Sequence, residues 1–196
     1  GYAYDESRQG GALRLGKEFG EYLRGDIVYR LEQVDISDLS EDASQALKDE
    51  AGEKTISSLF LQLTRDTRDN KFNPSKGIVV SGSVDVAGGF IGGDRDFAKF
   101  FNSNSYYSTI GPFLLELKLR EGIVTSYGDS DRVPIYERFF AGGTYTIRGY
   151  KERDVGPQDT SGDAVGGGSM VIGNAELTFS IVENLKGAFF IDAGNV

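Results

Sequence analysis

Apolar and polar residues alternate with a period of two along most of this chain. The alternating segments run to about ten residues, the length that crosses a bilayer as a tilted β-strand. Leu23, Ile27, Tyr29 and Leu31 share one face, and Arg24, Asp26, Arg30 and Glu32 share the other. The same order recurs in Leu59, Leu61 and Leu63 against Ser58, Gln62 and Thr64, and in Phe113, Leu115, Leu117 and Leu119 against Glu116, Lys118 and Arg120. It returns in Val171, Ala175, Leu177, Phe179 and Ile181 against Asn174, Glu176 and Thr178. The pattern predicts strands near 1–6 (a stub), 10–19, 22–36, 55–66, 77–88, 97–109, 113–126, 169–182 and 186–196.

Short and long connections alternate strictly between these strands. Gly20-Glu21, Asn70 to Ser75, Ile110 to Pro112 and Glu183 to Leu185 are tight turns built from turn-forming residues. Longer polar loops lie at about 37–54, 88–96 and 127–168. Outer-membrane barrels have short periplasmic turns and long extracellular loops, so the alternation assigns a side to each end of the sheet. Residues 41–50, with Ala43 and Leu47 among charged neighbours, fit a short surface helix. No linker divides the chain, and residues 1–196 read as one domain.

Composition narrows the chemistry. The 196 residues include no Cys and no His, which removes thiol nucleophiles, disulfides, imidazole bases and the usual zinc ligands. With 21 basic against 30 acidic residues the net charge is -9, the wrong sign for a nucleic-acid partner. A mean hydropathy of -0.31, without an apolar run near 18 residues, excludes a transmembrane helix. It leaves a transmembrane barrel open, because barrel strands are apolar only at alternate positions. No basic stretch leading into an apolar one opens the sequence, so any export signal is expected to have been removed or never to have been part of it. A soluble sandwich or barrel alternates in the same way, and composition does not separate the two.

The longest loop carries the strongest signal. Its segment Tyr136-Glu-Arg-Phe-Phe-Ala-Gly-Gly-Thr-Tyr-Thr-Ile-Arg-Gly-Tyr150 holds five aromatic residues and a glycine pair, whereas a solvated loop is polar. Phe139, Phe140 and Tyr145 are therefore expected to pack, or to form a binding surface. Arg65, Asp66, Arg68 and Asp69, with Asn73-Pro74 and Lys76-Gly77, read as paired charges and turn formers at a strand end. Asp94 with Asp96, and Asp129 with Asp131, have the oxygen ligands of a hard-cation site but lack the rest of a loop motif, and solvated surface is the better reading. Gly166-Gly167-Gly168 is too short for a phosphate cradle and reads as a hinge where the loop returns.

Phe139-Phe140-Ala141-Gly142-Gly143 followed by Ile147-Arg148-Gly149-Tyr150 resembles the (V/I)RG(F/Y) signature of the BamA family of outer-membrane-protein assembly factors. Gln9 to Gly16, Thr64 to Asn70, Val86 to Gly89 with Gly92 to Asp94, Gly166-Gly167 with Asn174 to Leu177, and Phe189 to Val196 are similar to that family's barrel in the same order. The resemblance implies an all-β, antiparallel transmembrane barrel, of which this chain supplies about eight to nine strands of a family total of sixteen. It also implies that the long loop folds into the lumen and sets Arg148 on carboxylates of the two following strands. Asp192 matches one of these and falls on the lumen face by parity with Phe190 and Ala188. The family's second acid is expected where Thr178 stands, which leaves Glu176, two residues earlier on the same face, as the substitute. The function implied is insertion and folding of other outer-membrane proteins in a Gram-negative outer membrane, without covalent chemistry, cofactor or metal. The implied partners are the lipid bilayer, unfolded outer-membrane-protein clients and accessory assembly lipoproteins. A TamA-like factor or a two-partner secretion pore shares the loop motif, and a passive pore shares the strand pattern. The chain reads as a central barrel fragment without the family's periplasmic domains or seam strands, and its open strand edges are expected to make it self-associate.

Overall fold

The computed structural model describes residues 5–39, 48–160, 162–182 and 185–196. Eight strands form one antiparallel sheet in strict chain order: β1 (Asp5–Glu18), β2 (Leu23–Ser37), β3 (Gly52–Asp66), β4 (Gly77–Ala87), β5 (Phe97–Ile110), β6 (Phe113–Ser126), β7 (Ser169–Val182) and β8 (Leu185–Asn195). Each strand pairs with its neighbours in sequence, and β1 and β8 do not pair with each other. No helix among the described residues is long and apolar enough to cross a membrane.

The expected stub and the strand after it are one element. β1 pairs continuously with β2 from Asp5↔Ser37 to Glu18↔Arg24. The run Ser7-Arg8-Gln9, left between the two expected strands, has no apolar residue, yet the backbone ladder needs none. Residues 1–4 of the expected stub lie outside the described residues, as do most of the expected helix at 41–50 and the turn residues Glu183 and Asn184.

The two faces sort as the alternation predicts. On β6, Leu117 and Leu119 point outward, while Glu116 and Lys118 point inward and pair at 3.1 Å. On the outer face Phe113, Phe179 and Phe189 meet in series across β6, β7 and β8, the first pair edge to face and the second stacked, with ring centres 6.0 and 5.5 Å apart. A band of aliphatic and aromatic side chains is what hydrocarbon requires of a barrel wall.

The inner face is not polar along its whole length. Toward the long loops it becomes apolar, through Val34 and Ile36 of β2, Ile56 of β3, Ala87 of β4, Phe97 of β5, Val124 of β6 and Ile172 of β7. The loop at 127–168 returns over this patch and adds Phe139, Ala141 and Ile147 to it. The core of the molecule therefore lies between sheet and loop, at one end of the wall.

The turns and loops are capped by acids. In the turn between β3 and β4 the Asp69 carboxylate accepts from the backbone of Asn70, Ser75 and Lys76 and from the Ser75 hydroxyl, and Arg68 forks onto Asp66. On the long-loop side, Asp94 accepts from the Thr55 amide at 2.7 Å, and Asp96 accepts from the amides of Gly89 and Asp129 at 2.7 and 3.1 Å. Glu50, Arg95, Asp49 and Arg132 tie the three long loops together, with Glu50 to Arg95 at 3.2 Å and Arg132 to Asp49 at 2.8 Å.

Candidate functional site

The long loop is shaped by its own backbone before it meets the wall. Phe139 and Gly167 form a two-way bridge, at 3.0 and 2.9 Å, so the glycine run expected as a hinge is a paired return. Gly142 adopts φ 107°, and a Cβ there would lie 2.2 Å from the Lys151 carbonyl, so only glycine fits that bend. The Thr146 hydroxyl closes the bend by accepting from the Gly142 amide and donating to its carbonyl. This places Ile147 in the core and turns Arg148 toward β7 and β8.

Arg148 is the centre of the site. Its backbone amide donates to Asp192 at 2.9 Å, and its guanidinium takes both Asp192 oxygens, Nε at 2.7 Å and Nη2 at 2.8 Å. The remaining Nη1 reaches Glu176 at 2.5 Å. A planar fork is what allows one cation to hold two carboxylates from adjacent strands. The guanidinium also lies 3.7 Å above the Phe190 ring, a cation–π contact that helps offset lost hydration. Hydrogen bonding to Asp192 raises the Arg148 pKa beyond its already high ordinary value, so the group is charged at every accessible pH.

The Thr178 hydroxyl, where the resemblance placed an acid, donates to the free oxygen of Glu176 at 3.3 Å. Two further residues complete the network and were not singled out in the sequence. Asn174, directly opposite Asp192 in the ladder, donates to Asp192 at 2.8 Å and to the Thr146 carbonyl at 2.7 Å. Arg120 of β6 donates to the side-chain Oδ1 of Asn174 and, at 2.8 Å, to the backbone carbonyl of Tyr145. Both sit on the polar face given by parity, and Asn174 also opens the family-like stretch Asn174 to Leu177.

The aromatic residues divide. Phe139 is buried, stacked on Phe101 with ring centres 6.3 Å apart and seated over Gly122, where a Cβ would come within 2.4 Å of its ring. Phe140 lies under the Arg153 guanidinium at 4.4 Å. Tyr145 departs from the expectation of packing: its side chain is 90 % exposed, because the bend at Thr144–Thr146 directs its carbonyl, not its ring, at the wall. Gly149 has φ 94° and Tyr150 is more than half exposed, so of the Ile147 to Tyr150 signature the first two residues make the wall contacts.

The match to the Omp85 superfamily domain model runs over residues 1–196. The chain belongs to the Omp85 superfamily. Among curated relatives, the outer membrane protein assembly factor BamA of Nitratidesulfovibrio vulgaris is 35% identical over 195 residues, 97% of this chain and 24% of that protein. BamA of Neorickettsia risticii is 30% identical over 98% of this chain and 26% of its own length. The human sorting and assembly machinery component 50 homolog is 29% identical over 81% of this chain and 35% of its own. This Omp85 chain thus spans about a quarter to a third of these relatives. Its fold matches the crystal structure of BamA from Haemophilus ducreyi lacking POTRA domains 1-3, with a TM-score of 0.84 at 17% identity over 98% of this chain and 42% of that one. The sheet is therefore part of an outer-membrane β-barrel wall, and the bacterial relatives put the Omp85 chain in the outer membrane of a Gram-negative bacterium.

Proposed function

We propose that the protein containing this chain folds and inserts other β-barrel proteins into the outer membrane, with the Arg148 loop as a fixed brace of the barrel that does so. One observation carries the reading. A loop arginine is shared by acids of two successive wall strands, in a chain that matches an assembly factor over 97% of its length. The work is physical and makes no covalent bond: the Arg148 cluster is arranged to hold a loop in place. Its partners are the bilayer, unfolded outer-membrane-protein clients and accessory assembly lipoproteins. Arg148, with Asp192 and Glu176, sets where the loop lies, and Phe139 and Ile147 fill the space beneath it.

The test is reconstitution of the full-length protein in lipid vesicles with an unfolded outer-membrane-protein client. Client insertion, followed by protease protection, is expected to be faster than in protein-free vesicles. Large steady conductance with no acceleration of insertion would assign the protein to the secretion-pore or passive-pore branch instead.

A further inference from the structure

At the near end of the same loop stands a carboxylate that the Arg148 network does not use. Glu137 closes the short 3₁₀ turn Ile135–Glu137 and is 5% exposed, among the most buried acids of the molecule. Three cations from three different strands surround it: Lys99 of β5 at 3.6 Å, Arg8 of β1 at 3.6 Å and Arg30 of β2 at 3.9 Å. Lys99 also donates to the Glu137 carbonyl at 2.8 Å and lies 5.0 Å from the Phe139 ring centre, so it grips backbone, carboxylate and neighbouring ring together. Arg8 lies 5.3 Å over the Tyr136 ring. The wall has acids of its own at this point, Glu6, Glu32 and Asp85, which share Arg8 and Arg30. Glu137 is thus a fourth acid among three cations and, among the described residues, the one charged group of the cluster that belongs to the loop.

A buried carboxylate persists only where charges or donors replace its lost hydration. These come here from β1, β2 and β5, none of which pairs with β7 or β8. We infer that Glu137 is a second positioning residue, which fixes the near end of the loop to β1, β2 and β5 as Arg148 fixes the far end to β7 and β8. The loop is then a strut with an acid at one foot and a base at the other, each socketed in the opposite charge. Its length sets the span between the first and last strands of this wall.

Spin-label pairs in the full-length protein in vesicles separate the two feet. Labels at Asp131 and Leu13 report the near foot, and labels at Tyr145 and Ile191 the far one. Glu137→Gln, which keeps size but removes charge, is expected to broaden the near-foot distances at least about twofold and leave the far foot as it was. Client insertion should slow by about tenfold. The exchange Glu137→Lys with Lys99→Glu, which restores one opposite pair, should narrow the near-foot distances again. An unchanged near foot in Glu137→Gln would overturn the inference. So would both feet broadening together, or an exchange variant as broad as the single Glu137→Lys. The distances are read without a client, so they stand or fall independently of whether the protein assembles barrels.

Discussion

Arg148 meets two carboxylates with one side chain, and this makes it hard to replace. Its partner Asp192 has only 2% of its side chain exposed, so removing the guanidinium strands a charge that water reaches poorly. Arg148→Ala is expected to cost about 3 kcal/mol of loop docking, well above the roughly 0–1 kcal/mol of a solvated pair. Arg148→Lys should recover only part, because an ammonium is a point charge that cannot fork onto Asp192 and still reach Glu176. Protease susceptibility of the loop in the folded barrel would rank wild type, Lys and Ala in that order, and equal susceptibility of all three would refute the ranking. Arg148 and Asp192 were legible in the sequence because each sits in a motif and Asp192 falls on the inner face by parity. Glu137 was visible but mute, since its partners come from β1, β2 and β5 and no local spacing connects them. Tyr145 was misread because counting aromatic residues in a loop does not say which way a bend turns each one.

The strands were nearly all legible, since period-two alternation is imposed by the wall itself and survives without tertiary information. What alternation does not give is the nature of whatever covers a face. The apolar inner patch of Val34, Ile56, Phe97, Val124 and Ile172 looks like any other parity residue in sequence, and only the returned loop explains it. Parity makes a direct prediction for the elements: labels at Leu117 and Leu177 should be quenched by lipid-soluble relaxants, and labels at Lys118 by water-soluble ones. The reverse pattern would remove the membrane reading. The β3–β4 turn makes another. The Ser75 hydroxyl, together with the amides of Ser75, Lys76 and Asn70, holds the Asp69 carboxyl below the usual carboxylate range. A folded pKa below the unfolded one means the turn gains from ionised Asp69 above pH about 4, and loses that gain as pH falls through the folded value. Amide-exchange protection at Ser75 and Lys76 is expected to hold from neutral pH down to about 4 and then decline. In Asp69→Asn it should be weaker throughout and lack that decline.

At the scale of the molecule, the sheet is open. The outer edges of β1 and β8 are rows of backbone donors and acceptors that find no partner in each other, and such rows cannot stay bare in hydrocarbon, where each lost bond costs several kcal/mol. In the Haemophilus ducreyi BamA structure the matched region is 42% of that chain. Expressed alone, the 196-residue chain is expected to self-associate through these edges. Cysteines introduced singly at Leu13 and Ile191 would crosslink between copies in detergent, the chain having no cysteine of its own. A monomer whose two edges both exchange freely with solvent would show the opposite.

The strut also fixes an order of events in time. Every strand contact here is between sequence neighbours, so the wall can be laid down hairpin by hairpin as the chain arrives. The loop breaks that rule: Arg148 precedes both of its acids, and Asp192 lies 44 residues further on, in the last of the eight strands. The loop emerges before its socket exists, and its docking therefore signals that β8 is in place. A chain stalled before β8 offers the arginine only Glu176 of β7 and not the two-oxygen socket of Asp192, and its half-held loop marks the barrel as unfinished.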